Sequence, residues 1–203
     1  MPWANYGAGL TDEETVAVVA YLRTVPAVKH TPEPTKMTMM MSTVAKTGMV
    51  YNMFAKNPFF IDYVPSTATA VDRGLKLAYL GACVDCHASA PGIAPKYGEP
   101  LAGGLKMDVP GRPPVFSSNL TPDMKTGIGG FSDEQLYDAI KYGKRLRPRP
   151  GLEMVRWPMM PRIPSHVSLT DEEIADLIAF FRSQPAVEHD IIAREMKALA
   201  KQK

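Results

Sequence analysis

The chain has 203 residues, of which 45% are hydrophobic, and a formal net charge of +2. This length suits one domain with accessory segments, and the nearly balanced charge disfavours a nucleic-acid-binding protein, which is normally more basic. No run of 18 uncharged apolar residues is present, so the sequence predicts no membrane span. Nineteen prolines predict short helices joined by ordered loops, because proline ends helices and stiffens turns.

The first predicted element is a helix that begins after Thr11. Thr11 and Glu14 have the spacing of a capping box, in which each side chain bonds a backbone N–H group at the helix start. Pro26 follows the helix and ends it. Apolar or half-apolar residues recur at helical spacing between these points and form an apolar stripe, made of Thr15, Val18, Val19 and Leu22.

The same pattern returns near the end of the chain. Residues 1–28 align without gaps on residues 160–187, with twelve of 28 positions identical. The second copy has a capping box, Thr170 with Glu173, and a matching stripe of Ile174, Leu177, Ile178 and Phe181. The repeat predicts that residues 1–28 are the C-terminal remnant of a preceding domain of the same kind, and that the chain is an N-terminally truncated piece of a longer protein. A short N-terminal helix with coincidental similarity is the alternative.

Residues 29–70 are predicted to be a linker with a Met-rich helix. Its apolar residues at helical spacing include Met37, Met40, Met41 and Val44. Methionine packs adaptably and the segment has few cations, which favours packing in a groove between domains over contact with a membrane or partner surface.

A helix predicted over residues 72–80 leads into the run Cys83-Val84-Asp85-Cys86-His87. A Cys-x-x-Cys-His run is the attachment signature of a c-type haem: both thiols add across haem vinyl groups, and the histidine lies under the iron as its proximal ligand. Two intervening residues let one helical turn present both sulfurs to one edge of the porphyrin. The motif predicts one covalent haem c site formed by Cys83, Cys86 and His87.

A redox dithiol and a structural zinc site are the alternatives for these cysteines. Thioredoxin-like dithiols follow a strand, and the residues around Gly81 do not alternate as a strand does. A structural zinc site needs four ligands. The chain has only two cysteines, and its other histidines are scattered, at His30, His166 and His189.

Residues 88–130 are predicted to be a long loop without a clear element. Such a loop is unusual in a compact domain, unless it packs on a large group such as a porphyrin. Ser132 with Gln135 then caps a helix that ends at Gly143. The last helix of the domain is predicted over residues 170–182. A polar tail, residues 188–203, is readable as a short helix with apolar positions at Ile191, Ile192, Met196 and Leu199.

Five cations follow the capped helix and are either a docking face for an acidic partner or a solvated loop. They are Lys141, Lys144, Arg145, Arg147 and Arg149.

A sixth iron ligand is expected near Met160-Pro161. An iron that passes electrons without binding small molecules needs such a ligand, and methionine sulfur is the usual choice. The repeat favours Met160, because Met1-Pro2 aligns with Met160-Pro161, and Met159 is the runner-up. Core packing is the alternative for any single methionine. The other candidates are Met107, Met124 and Met154.

The order of these motifs resembles the multi-haem cytochrome c subunits of bacterial membrane-bound alcohol and gluconate dehydrogenases. The resemblance covers nearly the whole chain and has two departures: Phe131 stands where the family usually has Trp, and Ala88-Ser89 stand where Thr-Pro often follows the motif. Besides the haem motif and Met160-Pro161, it is carried by Arg73-Gly74, Ala102-Gly103-Gly104, Ser118-Asn119-Leu120-Thr121-Pro122-Asp123, Thr126-Gly127-Ile128-Gly129 and Leu169-Thr170-Asp171-Glu172.

The resemblance implies an all-α class I cytochrome c fold for residues 71–187, a periplasmic location and membrane association through a partner. It implies an electron carrier, not an enzyme, that relays electrons from a dehydrogenase subunit toward quinone or a terminal oxidase. A peroxidase-like haem module with a displaceable sixth ligand is the alternative. Haem attachment of this kind takes place outside the bacterial cytoplasm, and no secretory signal is visible before Asp12. This mismatch strengthens the expectation of missing upstream sequence.

Overall fold

The computed structural model of the chain describes residues 9–31, 33, 39, 42–43, 68–88, 100–107, 114–148 and 166–200. The chain divides into two compact units, Met1–Tyr63 and Val64–Lys203, and each is described by itself. Most of the predicted Met-rich helix lies outside the described residues, including Met37, Met40, Met41 and Val44.

The first unit contains the helix α1, Asp12–Thr24. Its predicted capping box is confirmed: the Glu14 N–H donates to Thr11 Oγ1 over 3.1 Å, and the Thr11 N–H donates to Glu14 Oε2 over 2.9 Å. The apolar stripe of this helix is exposed. Val18 is 47% exposed and Leu22 is 61% exposed. The capping box and the helical spacing of apolar residues thus predict the helix correctly, although its apolar face is exposed.

The second unit is mainly helical in the part of it that is described, in agreement with the all-α class. Its helices are α2, Ala70–Leu80; α3, Cys83–His87; α4, Asp133–Tyr142; α5, Asp171–Ser183; and α6, Ile191–Ala200. None of the helices in the described ranges is long and apolar enough to cross a membrane.

Two short strands correct the prediction that residues 88–130 lack a clear element. They are β1, Lys106–Met107, and β2, Val115–Phe116. They pair antiparallel, with Lys106 opposite Phe116 and Met107 opposite Val115. A strand of two residues is too short to show the apolar–polar alternation from which strands are recognised.

The helices α2 and α5 cross at Gly74, and this crossing forms the centre of the core. A Cβ atom on Gly74 would lie 2.0 Å from the backbone oxygen of Asp176, so the crossing requires a residue without a side chain. Beside it, the Arg73 guanidinium donates two hydrogen bonds of 2.7 Å to the Asp176 carboxylate. These hydrogen bonds raise the pKa of Arg73 above its ordinary value. The apolar stripe predicted for α5 is buried here, as Ile174, Leu177, Ile178 and Phe181.

The predicted caps of α4 and α5 are confirmed. The Ser132 hydroxyl accepts from the Gln135 N–H, and the Thr170 hydroxyl accepts from the Glu173 N–H. In each pair, the side chain of the later residue accepts from the backbone N–H of the cap residue. Gly143 ends α4 in the left-handed conformation, with φ of 67°. The two helices are therefore bounded as their sequences predict, to within one residue.

Candidate haem site

A tight turn joins α2 to the helix that carries the two cysteines. The Gly81 N–H donates to the Leu77 oxygen over 2.7 Å and ends α2, and Ala82 then adopts the left-handed conformation with φ of 56°. Left-handed backbone is uncommon for residues other than glycine and costs free energy. The turn redirects the chain so that α3 begins directly at Cys83.

The structure brings Cys83, Cys86 and His87 together on the single helix α3. Both cysteines are half-buried, and Val84 between them is buried. The preceding element is the helix α2, not a strand, which disfavours a thioredoxin-like dithiol. No three His, Cys, Asp or Glu side chains group as metal ligands among the residues that the structure describes, so a zinc site gains no support there.

The ring of His87 is oriented by one backbone carbonyl. Its Nδ1 lies 2.7 Å from the Ser118 oxygen. Because a carbonyl oxygen can only accept, Nδ1 carries a proton, and in the neutral ring the lone pair lies on Nε2. Metal-binding histidines characteristically donate their second ring N–H in this way, which fixes the tautomer and raises the basicity of the ligating nitrogen.

Gly103 bonds the backbone of His87 and lies close against the carbonyl that orients its ring. Its N–H donates to the His87 oxygen over 2.7 Å. A Cβ atom on Gly103 would lie 2.3 Å from the Ser118 oxygen, and its φ is +70°. Sequence reasoning used Gly103 and Ser118 only as parts of a resemblance and assigned neither of them to the site. The signal that could have indicated them is the glycine pair, since adjacent glycines mark close backbone approaches.

Asn119 connects the turn after β2 to the segment that follows α5. Its Nδ2 donates to Thr126 Oγ1 over 3.1 Å and to the Val187 oxygen over 2.8 Å. Its Oδ1 accepts from the N–H and the hydroxyl of Thr121, over 2.9 and 2.7 Å. Asn119 and Thr121 are both buried, and such buried amides rigidify a turn when every group has a partner.

Asp123 closes the same turn. Its Oδ1 accepts from the N–H and the hydroxyl of Thr126, over 2.6 and 2.7 Å. These hydrogen bonds, the backbone one foremost, hold the pKa of Asp123 below its ordinary value. A Cβ atom on Gly127 would lie 2.1 Å from the Thr121 oxygen, which explains the glycine that follows Thr126. Residues 118–129 thus form a turn that is held by hydrogen bonds between its own residues, and Ser118 at its start bonds His87.

The described residues fit a covalently held c-type haem. Two half-buried thiols lie on one helical turn, and the adjacent His87 donates from Nδ1 to the Ser118 carbonyl, as metal-binding histidines do. The sixth-ligand candidates Met154, Met159 and Met160 lie outside the described residues. Met107 lies in β1 and Met124 is exposed.

The described cations of the predicted basic patch make contacts within the unit. The Lys141 ammonium donates to the Leu169 oxygen over 2.7 Å, and the Lys144 ammonium donates to Asp138 over 2.6 Å. The Arg147 guanidinium bonds the Gly127 oxygen over 2.9 Å. It lies 4.9 Å from the centre of the Phe131 ring, at the position where the resembling family has Trp. These three cations therefore bond groups of their own unit, and Arg149 lies outside the described residues.

Comparison with known proteins confirms the expected resemblance, over 55–59% of the chain and not over nearly all of it. The chain is 38% identical over 111 residues to the gluconate 2-dehydrogenase cytochrome c subunit of Pantoea cypripedii, covering 55% of this chain and 22% of that protein. It is 33% identical over 111 residues to the cytochrome c subunit of the quinone alcohol dehydrogenase of Gluconobacter oxydans, with 55% and 20% coverage. It is 31% identical over 124 residues to the fructose dehydrogenase cytochrome subunit of Gluconobacter japonicus, with 59% and 23% coverage.

The chain covers about a fifth of the length of these curated relatives. It matches no protein-family model. The relatives are cytochrome subunits of dehydrogenases, which agrees with the expectation of an electron carrier and not of a catalytic subunit.

Proposed function

We propose that the chain carries electrons through one haem c, held by thioether bonds from Cys83 and Cys86 and ligated by His87 Nε2. The observation that carries the proposal is the 2.7 Å hydrogen bond from His87 Nδ1 to the Ser118 carbonyl, directly beside two thiols on one helical turn. When bound, the haem supplies a one-electron couple. The Ser118 carbonyl would orient His87 as its iron ligand.

The sixth ligand in this proposal is the sulfur of Met160, with Met159 as the runner-up. The repeat supports Met160, because Met1-Pro2 aligns with Met160-Pro161. A thioether ligand favours reduced iron and occupies the position that small molecules would otherwise take. His/Met ligation therefore suits transfer of electrons without chemistry at the iron.

The proposed fold of residues 71–187 is a class I cytochrome c domain. Residues 1–28 are proposed to be the C-terminal part of a preceding domain of the same kind, with residues 29–70 as the linker and 188–203 as a tail. The exposed stripe of α1 supports this division, because the equivalent stripe of α5 is buried. In a complete domain, this face would be covered by a helix equivalent to α2.

The proposed partners are a dehydrogenase subunit and a downstream acceptor, either quinone or a terminal oxidase. The relatives that are cytochrome subunits of alcohol, gluconate and fructose dehydrogenases support a partner of this class. A periplasmic location, with membrane association through the partner, follows from the chemistry of haem attachment.

A peroxidase-like haem module is the alternative function, and carbon monoxide binding separates the two. In the haem-loaded full chain, a carrier with His/Met ligation keeps a low-spin spectrum in both redox states and does not bind carbon monoxide when reduced. A haem enzyme has an open or displaceable sixth position. Rapid carbon monoxide binding by the reduced wild type would therefore overturn the carrier assignment.

A further inference from the structure

The segment that follows α5 lies against the hairpin and turn that position His87. The ring of His87 depends on the carbonyl of Ser118, which follows directly after β2 and Ser117. Ser118 also precedes the turn that Asn119 organises. Any group that holds β2 and this turn in place therefore holds the hydrogen-bond acceptor of the histidine.

Glu195 of α6 is buried against β2. Glu195 is only 1% exposed, and its Oε1 accepts from the Phe116 N–H over 2.8 Å. Burial of a carboxyl group costs free energy unless hydrogen bonds compensate for lost hydration. The buried Ile191 adds apolar contact at the start of the same helix.

His189 ties the segment to both sides of the hairpin. Its Nδ1 lies 3.0 Å from the Ala102 oxygen, so Nδ1 is the donor, and its Nε2 accepts from Arg194 over 3.1 Å. Its backbone N–H donates to Thr126 Oγ1 over 2.9 Å. The Arg194 guanidinium lies 5.3 Å from the centre of the Phe116 ring.

Two further features show a close fit between the segment and the site. The backbone oxygen of Val187 accepts from the Asn119 amide, and the backbone N–H of Val187 donates to Thr121 Oγ1 over 3.1 Å. Gly104 makes room for the segment: a Cβ atom there would lie 2.7 Å from His189 Cε1. The segment therefore bonds residues on both sides of Ser118 along the chain: Phe116 of β2 before it, and Asn119 and Thr121 of the turn after it.

We propose that residues 187–195 form a brace, with Glu195 as its main positioning residue, that fixes the Ser118 carbonyl against His87. This inference rests on the proposed function, since the hydrogen bond from Nδ1 sets the orientation and basicity of the iron ligand. A tail that is polar in sequence thereby acts on the haem site through the Ser118 carbonyl.

The test is the rate at which the His87 Nδ1 proton exchanges with deuterium, followed by NMR in the haem-loaded full chain. Glu195→Ala removes the acceptor of the Phe116 N–H, and Glu195→Gln keeps a carbonyl oxygen there. Because exchange reports local opening, we expect about tenfold faster exchange in Glu195→Ala and less than about twofold change in Glu195→Gln. Met196→Ala, on the exposed side of the same helix, is the matched control and should exchange like the wild type.

A second pair of variants separates positioning from general loss of stability. Ile174→Val weakens the core at α5 without touching the brace, and should lower the free energy of unfolding while leaving the His87 exchange rate unchanged. His189→Ala removes the bond to Ala102 and should accelerate exchange even if Glu195→Ala does not accumulate. Unchanged exchange in these haem-loaded brace variants would overturn the brace. A wild-type chain without covalent haem would overturn the proposed function and the brace together.

Discussion

At the residue scale, the site depends on backbone groups more than on reactive side chains. Cys83, Cys86 and His87 are evident from the sequence because their spacing is itself the chemical requirement. Ser118 contributes its backbone carbonyl, and Gly103 contributes its N–H and its missing side chain. Neither role requires a particular side chain in a recognisable spacing, so sequence reasoning assigned neither residue to the site.

Gly103→Ala tests the close approach beside His87. The new Cβ would lie 2.3 Å from the Ser118 oxygen, at a residue with φ of +70°. We expect the free energy of unfolding of the haem-loaded chain to fall by about 2 kcal/mol or more, measured by chemical denaturation. Gly130→Ala is the control, because its nearest contact would be 3.4 Å. Equal effects of the two substitutions would contradict the packing described here.

Met160→Ala tests the proposed sixth ligand. Loss of a thioether ligand should lower the reduction potential by on the order of 0.1 V or more, and should open the iron to carbon monoxide, as spectroelectrochemistry and absorption spectra would show. Met159→Ala is the control and should keep the wild-type spectrum. A native spectrum in Met160→Ala would instead transfer the role to Met159 or Met154.

The lowered pKa of Asp123 predicts that the free energy of unfolding depends on pH. Its pKa in the folded chain is below the ordinary 3.8, so its contribution is fully present above that value and is lost as the pH falls through the lower folded pKa. Asp123→Asn should therefore lower the free energy of unfolding at pH 7, and this difference from the wild type should shrink in acid. Denaturation at a series of pH values measures it. The exposed Glu188, changed to Gln, serves as control; an Asp123→Asn difference independent of pH would refute the assignment.

At the element scale, local signals and packing differ in how well the sequence shows them. The capping boxes at Thr11, Ser132 and Thr170 are predictable, because each is completed within four residues. The burial of Glu195 is not, because its partner Phe116 lies 79 residues away and the tail is polar in composition. The stripe of α1 has the same period as that of α5 but remains exposed. Periodicity thus predicts a helix, whereas burial depends on a partner that periodicity does not specify.

Gly74→Ala tests the crossing of α2 and α5. In an exposed helix, this change would stabilise by up to about 1 kcal/mol, because alanine is the better helix former. Here the new Cβ would lie 2.0 Å from the Asp176 backbone oxygen, so the helices must separate. We expect a loss of about 2–4 kcal/mol in the free energy of unfolding, followed by circular dichroism during denaturation. A stabilised variant would show that the helices do not cross at this residue.

At the scale of the whole molecule, the described elements of residues 64–203 support the proposed haem site on α3. The helices α2 and α5 pack on each other. The segment between β2 and the Asn119 turn supplies the Ser118 carbonyl that accepts from His87, and Glu195 of α6 bonds Phe116 of β2. Relatives of the chain are cytochrome subunits of dehydrogenases, and the chain covers about a fifth of their length. The central claim is therefore that this chain itself holds one covalent haem.

The most direct measurement of that claim is the haem content of the full chain expressed with a periplasmic haem-maturation system. In the pyridine haemochrome assay we predict one haem per chain, with a c-type spectrum that survives acid–acetone extraction because both thioether bonds are covalent. Replacing Cys83 and Cys86 together by Ser should remove the bound haem. A wild-type chain that lacks haem, or that releases it on extraction, would contradict the account.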